Sequence, residues 1–508
     1  MTRLANVNTT DLRAAIELGC RCMSRVFNRD DDGIPFFSST LRPSPRLSFS
    51  SCHSEAHVPG RHLNALLNAE AVGVPVAEEA VEQHARAAFF SYSGALPLPL
   101  NREAIGGPLV NFCPHNIREG FHALTALAVY RGSREALELA ERSIACIRDT
   151  WSPEAGWDRE RLAGLGLADQ GWSGTFITGI GRCIGPLVKL HRGTGSAAAL
   201  SLAKLLAEKA LDEFFTTDGA YDGEAFGTHV HSTTCVMSSL AQLADLFGDE
   251  GMMGRVRAFY DHGLWEIRDE IGWSLENSRA EAHPDFGECN NTGDILETAL
   301  LLGKWADEAY YDDAERILRC HLLPAQLRDN SFVVEPPNPN GEDGLRDLAD
   351  RHLGAFGFPA PYGHAPVGME WLSFNMDIVG GAVGSLCAAV REVVTGEAGR
   401  ACVNLLFDHE TEAVRVESPY THETLAVTVK QPLELLTVRL PGWAARESVR
   451  LEAPPVGERV EVRFPLAERE IVLKHRTREM RVRLRGDEVV AMDNFGADLT
   501  FFADFGAG

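Results

Sequence analysis

Four carboxyl groups, Glu276, Glu281, Asp285 and Glu288, stand within thirteen residues, and the stretch HPDFGECNNTGDILETALLLGKW then runs from their loop into a helix. Ile295, Leu296, Ala299, Leu300 and Leu302 recur at helical spacing with no proline among them. The start of that helix would offer free N–H groups and the positive end of a dipole. Hydrolysis of a glycosidic bond needs two carboxyl groups, one protonated to donate to the leaving oxygen and one ionised across the scissile bond. Each acid also has a plainer explanation. Thr292 or Asn291 could cap the helix, and Glu288 or Asp285 could do no more than complement its dipole. Four acids sharing a loop with Trp273 and His283 argue together for chemistry.

A second group lies in YDGEAFGTHVHSTT, where His229 and His231 are two apart. On extended backbone they point the same way; on a helix they diverge. Cys289, Glu288 and His231 could assemble a zinc set, but their spacing follows no zinc motif. Hydrogen bonding to sugar hydroxyls suits the histidines better, and no cofactor is expected. Asn290 and Asn291 add amides at the same helix start.

A third group is aromatic and polar: Trp157, Asp158, Asp169, Trp172, Glu370 and Trp371. A flat indole covers the C–H face of a sugar ring while adjacent acids fix its hydroxyls. A fourth is PHNIREGFHAL, where His115, Asn116, Arg118 and Glu119 open a helix, with Arg118 either a substrate ligand or half of a helix-end ion pair. There is no GxGxxG after a strand, no Walker loop, no GxSxG and no HExxH. Nucleotide-dependent enzymes, serine hydrolases and common metalloproteases lose support.

The elements that must position these groups are helical hairpins. From about residue 9 to 400 apolar stripes of helical period alternate with tight turns such as RGS, TGS and FGDE, and the acid- and Trp-rich loops fall at one stage of the repeat. In a closed ring they would meet at one end. After about residue 400 the pattern shifts to short β-branched runs at period two, ACVNLLF, EAVRVES, TLAVTVK, LLTVRLPGW, RVEVRFP, EIVLKH, EMRVRLRG and EVVAMD. The expected architecture is mainly α, an (α/α)6 toroid over residues 1–400 with an antiparallel β-sandwich over 401–508.

Net charge is −24 over 508 residues, which opposes nucleic acid and anionic membranes as partners. The opening MTRLANVNTTDLRAAIELGC has no apolar run of signal-peptide length, and no long apolar stretch follows, so a soluble, cytoplasmic chain is expected. A homo-oligomer is compatible with this composition. Eleven cysteines without a CxxC pair suit reduced core thiols.

Two stretches carry a resemblance: GECNNTGDILETALLL followed by ADEAYYDDAERILRCHLLPAQL, and LTVRLPGWA in the β region. With the hairpins before them they resemble the six-hairpin glycosidases, and among these glycoside hydrolase family 127, the β-L-arabinofuranosidases. The resemblance implies a Cys nucleophile held on zinc by further Cys and Glu ligands, with a Glu acid/base. Carried over, Cys289 matches one zinc Cys, the Glu ligand falls on Gly287 with Glu288 one place off, and Glu276 lies in the acid/base loop. The tandem Cys pair would fall near WLSFNMDIVGGAVGSL, where Phe374 and Asn375 stand. The family's nucleophile is therefore absent. A carboxylate pair could replace it, with Glu276, Asp285 or Glu288 on one side and Glu370 or Asp377 on the other. The expectation is an exo-acting glycoside hydrolase on oligosaccharides. The rivals are a lyase on uronate-containing glycans, using Tyr221, His229, His231, Asn290 and Asn291, and a non-catalytic sugar-binding protein.

Overall fold

The computed structural model describes residues 2–3, 9–169, 175–279, 286–357, 372–397, 399–474, 479–496 and 499–507. The fold is mainly α. Six helices, α1 (Val58–Ala71), α2 (Ile117–Tyr130), α3 (Ile184–Thr194), α4 (Val230–Phe247), α5 (Cys289–Trp305) and α6 (Asp377–Val393), pack each on the next, and α6 packs on α1 to close the circuit. A second helix backs each of them: Glu78–Ser91, Arg134–Thr150, Ala197–Glu213, Glu250–Asp261 and Ala309–Ile317 follow α1 to α5 in turn. The helix that backs α6 is the N-terminal one, Leu12–Met23. The chain thus opens with the outer partner of its last inner helix.

Local sequence explains the hairpins. In α2 the stripe Phe121, Leu124 and Leu127 is buried, and in the returning helix Ala136, Ala140, Ile144 and Ile147 face it. The turns RGS, TGS and FGDE each put a glycine in the left-handed region, Gly132, Gly195 and Gly248 with φ of 63°, 76° and 65°, where only Gly pays no steric penalty. Ser133, Ser196 and Asp249 follow, and each accepts a hydrogen bond from the third residue on, capping the returning helix.

The inner helices touch closely. A Cβ at Gly60 in α1 would collide with the Glu119 carbonyl of α2, and one at Gly380 in α6 would lie 2.7 Å from the Arg61 carbonyl of α1. Strands that the helical pattern did not forecast also serve the ring. Ser38–Arg42 pairs with Arg46–Ser48 and, antiparallel, with Leu372–Asn375, and the Met376 amide donates to the Phe37 carbonyl at 2.7 Å. That sheet delivers the chain to the first turn of α6.

All eight strand runs of the C-terminal region form strands. One sheet has the order Val394–Thr395, Arg400–Val403, Leu435–Val438, Val449–Glu452, and another His409–Glu410, Val414–Glu417, Leu425–Val429, Arg459–Val462. Both contribute to one hydrophobic cluster that includes Val403, Val427, Leu436 and Val438. The expectation of purely antiparallel pairing is corrected here: Arg400–Val403 runs parallel to Leu435–Val438, because the intervening 409–429 segment crosses to the other sheet. A third sheet, Glu468–Lys474, Glu479–Arg485, Glu488–Met492 and Ala503–Asp504, joins its Leu473, Val482 and Leu484 to the large core of the helices. Arg319 links the parts: it donates to the Leu406 carbonyl at 2.8 Å with its guanidinium 3.8 Å and 3.7 Å from the ring centroids of Phe407 and Tyr420.

No described helix is long and apolar enough to cross a membrane. Gly60→Ala is expected to lower unfolding free energy by about 1–3 kcal/mol, since the α1–α2 backbone contact leaves no room for a methyl group. Urea unfolding measures it, and a midpoint equal to that of the parent chain would contradict so tight a contact.

Candidate active site

The first turns of the inner helices meet. His57 precedes α1, Asn116 precedes α2, His229 precedes α4, Glu288 precedes α5, and Asp377 is the first residue of α6. None of the six inner helices has a side-chain cap. At four of them the cap position instead carries His57, Asn116, His229 or Glu288, whose side chains contact groups of neighbouring elements.

The floor of the cluster is ionic. Glu119, fully buried, accepts from Arg182 Nη2 at 2.9 Å and Arg118 Nη1 at 3.3 Å, and Arg61 Nε lies 3.4 Å from it. Burial alone would raise its pKa, but Arg182, His57, Arg61 and Arg118 together hold it well below the usual carboxylate range. Arg118 also reaches Asp294 Oδ1 at 3.4 Å. Burial pushes Asp294 up to about 6, with Arg118 working against it.

Above this floor sit two carboxyl groups with opposite tendencies. Asp377 Oδ2 lies 3.2 Å from His57 Nε2. Burial would raise it, yet the His57 hydrogen bond and the charges of His57 and Arg61 lower it to about 2. Glu288 is pushed up to about 8 by burial first, then by the negative charges of Asp377 and Glu276. Asn290 Nδ2 joins the two, donating to Glu288 Oε1 at 2.6 Å and to Asp377 Oδ2 at 3.4 Å. Glu276, half-buried, is raised by burial to about 7. It reaches the cluster through a short antiparallel bridge, Leu275 with Gly287, and the Val230 amide donates to its carbonyl at 3.1 Å.

His229 and His231, beside Glu288, are neutral. Burial, then neighbouring cationic groups, lowers His229 to about 3 and His231 well below its usual value. A guanidinium can only donate, so Arg61 Nη2 at 2.9 Å makes His231 Nε2 an acceptor. The His231 proton then sits on Nδ1, which faces Glu288 Oε1 at 3.6 Å. His229 Nδ1 contacts Ser232 Oγ at 2.8 Å, and its Nε2 lies 3.8 Å from Glu288 Oε2. His229 is 25% exposed at its side chain, whereas Glu288 is 7%, so the cluster opens on the His229 side.

The cysteine-rich zinc set implied by the sequence resemblance does not fit these residues. The Cys289 thiol donates to the Gly357 carbonyl at 3.0 Å and burial raises its pKa, which disfavours thiolate. Among the described residues, one set of three or more His, Cys, Asp or Glu residues has ligand atoms all within 4.8 Å of one another: His229, His231 and Glu288. The Arg61 bond to His231 leaves Nδ1 protonated toward Glu288, an arrangement of donor and acceptor.

His229, His231, Glu276, Glu288, Asn290, Asp377 and Arg118 are thus brought into one cluster. Asn291 and Thr292 are not helix caps: α5 begins earlier, Asn291 Nδ2 donates to the Leu275 carbonyl at 2.6 Å, and Thr292 Oγ1 to the Gly272 carbonyl at 2.8 Å. They lock the acid-bearing loop onto α5. Asp169 ends a two-residue strand parallel to Phe112. Asp285, Trp172, Glu370 and Trp371 lie outside the described residues. Trp273 is buried, and Trp157 packs edge-on against Phe112 at 5.0 Å. Tyr221 packs its ring on Phe226 at 5.3 Å. Sequence reasoning missed His57, Arg61, Arg182 and Asp294. The signal for the first two was SCHSEAHVPGRH, where histidines precede a proline at a helix start.

No protein-family model matches the chain, and no curated protein does. Solved structures do. A GH127 β-L-arabinofuranosidase from Geobacillus stearothermophilus T6 superposes with a TM-score of 0.54 at 15% identity, over 94% of this chain and 80% of that one. A second GH127 β-arabinofuranosidase gives 0.53 at 13%, over 94% and 79%. The chain therefore has the six-hairpin glycosidase fold at a distance.

Arg182→Met is expected to cost about 3–5 kcal/mol, because it leaves a buried carboxylate under-compensated; denaturant unfolding would show little change if Glu119 were instead neutral. The raised Glu288 carries a second expectation. The folded state holds its proton between pH 4.5, the ordinary value, and about 8, while the unfolded chain releases it, so stability falls as pH rises through that window. Glu288→Gln should flatten the decline by up to ~1.4 kcal/mol per pH unit, read from unfolding at pH 5.5 and 7.5.

Proposed function

We propose that the protein is a glycoside hydrolase acting on oligosaccharides, on an (α/α)6 toroid carrying a β-sandwich. The observation that carries this reading is the pair Glu288 and Asp377, two adjacent carboxyl groups whose surroundings drive one up to about 8 and the other down to about 2. Such a divergence supplies an acid and an anion together at neutral pH. The fold likeness to the GH127 β-L-arabinofuranosidase supports a carbohydrate substrate.

Protonated Glu288 is the general acid. Its Oε1 is taken by the Asn290 amide, so the transferable proton belongs on Oε2, on the open His229 side. It passes to the glycosidic oxygen as the C–O bond breaks. Asp377, ionised, faces the positive charge that develops on the sugar. One amide bridging the two acids places the bridged oxygens within about 6 Å of each other, closer to the ~5–5.5 Å of retaining pairs than to the ~6.5–9.5 Å that inverting pairs leave for a water. Retention of configuration is the outcome this spacing favours: an Asp377 oxygen bonds the anomeric carbon as the leaving group departs, and water, giving a proton to the Glu288 carboxylate, then displaces that oxygen. Glu276, His229 and His231 bind hydroxyls near the mouth. The ionic floor of Glu119, Arg182 and Arg118 closes the inner end, which favours chain ends over internal bonds and hence exo action. No metal is needed for these steps.

The test is a panel of neutral and uronate-containing oligosaccharides followed for new reducing ends and for ultraviolet absorbance of an unsaturated uronate. Reducing ends without absorbance are expected; absorbance would make the protein a lyase. Glu288→Gln and Asp377→Asn should each lower kcat by about 10²–10⁴-fold, and parent kcat/KM should fall as pH rises through about 8, where Glu288 loses its proton. Unchanged turnover in both variants would refute the pair. Dialysis against a chelator should leave turnover intact. Loss restored by zinc would reassign His229, His231 and Glu288 as ligands.

A further inference from the structure

The ring axis holds a second cavity, remote from the first turns where the acids meet. Its wall comes from the later turns of all six inner helices, with Asn64 from α1, Thr125 from α2, Lys189 from α3, Gln242 from α4, Glu297 from α5 and Ala388 from α6, and its volume is about 370 Å³. Toward the catalytic cluster the axis narrows. There Arg118, Asn290 and Asp294 from one side and Lys189 and Glu297 from the other leave about 20 Å³, room for one water and not for a sugar ring. The two spaces are separate sites on one axis.

The polar groups of the rear cavity have unused bonding capacity. Lys189 lines both the cavity and the neck, and among the described residues its ammonium makes no hydrogen bond or ion pair. Burial lowers its pKa, and the charge of Glu297 opposes that. Glu297 accepts from Ser238 Oγ at 3.2 Å and Ser385 Oγ at 3.1 Å, one bond to each oxygen, which leaves lone pairs free. Gln242 spends its amide nitrogen on Ser238 Oγ at 3.2 Å, keeping its carbonyl. Val129, Leu300 and Leu301 supply apolar wall between them.

We propose that this rear cavity is a second binding site, for a small neutral polyhydroxylated molecule of one or two sugar rings. An anion is disfavoured by the carboxylates of Glu297 and Glu392 and by six helix C-termini with their negative dipole ends. A cation is disfavoured by Lys189, Arg391 and Arg192, the last of which has its charge met by Asp245 at 3.2 Å. A hydroxyl both donates and accepts, so it can satisfy an ammonium, a carboxylate and an amide carbonyl at once. The volume lies within the ~300–1,000 Å³ of small-molecule pockets. The rear cavity would bind such a molecule whatever chemistry the front site performs.

Calorimetric titration of the full chain with D-glucose, L-arabinose and maltose tests it, alongside Ala388→Trp, which fills the cavity, and Lys189→Met, which removes the unpaired donor. At least one probe should bind the parent with a component that Ala388→Trp abolishes and Lys189→Met weakens about tenfold or more, while oligosaccharide turnover is unchanged in both. A single component lost in Ala388→Trp would still support the rear site and would count against sugar binding at the front. Where Ala388→Trp fails to fold, Lys189→Met decides, with its thermal midpoint as the control for folding. Binding of every probe unaltered in the folded variants, or no binding to the parent chain, overturns the proposal.

Discussion

All six inner helices begin at the same end of the ring, and the rest of the structure depends on that. A helix start leaves N–H groups without partners and a partial positive charge. The outer helices Leu12–Met23, Arg134–Thr150, Ala197–Glu213 and Glu250–Asp261 answer this locally with Asp11, Ser133, Ser196 and Asp249 as caps. The inner helices do not. His57, Asn116, His229 and Glu288 occupy cap positions with their side chains pointed at neighbouring helices. Forgoing a cap costs about 1 kcal/mol per helix, which the buried inner faces offset. In exchange, residues far apart in sequence share one small volume where six positive helix ends converge.

That convergence explains why buried charges are tolerated there. Glu119, Arg61, Arg118 and Arg182 would each be costly alone, and together they compensate one another. It also explains why two neighbouring acids differ. Asp377 has His57 at 3.2 Å and Arg61 nearby, whereas Glu288 has an amide, two neutral imidazoles and the charge of Asp377 itself. The same burial acts on both, and the partners decide its outcome. Toward the far end of the axis the helix C-termini gather, and among the described residues Glu297 there accepts one bond at each oxygen while Lys189 makes none.

Much of this was legible in the chain. The RGS, TGS and FGDE turns announce themselves because glycine is needed for a left-handed residue and Ser or Asp for the cap that follows. The eight alternating runs after residue 400 became strands because period two permits little else. Glu288, Glu276, His229 and His231 were visible as a polar knot at helix starts. Their partners were harder to see. Arg182 and Asp294 sit in helical sequence whose polar residues look like any surface face, and His57 lies in a stretch with only a proline to mark the helix.

By itself, then, the sequence determined the hairpins, their turns, the shift to strands and the presence of acids at a repeated stage, because each is set by contacts within a few residues. Tertiary structure alone decided that the N-terminal helix completes the last hairpin, that Asn290 ties Glu288 to Asp377, and which of those acids keeps its proton. Ring closure and desolvation are properties of the whole assembly. A pKa depends on what surrounds a group in space, and residues 57, 61, 288 and 377 become neighbours only when the sixth inner helix meets the first.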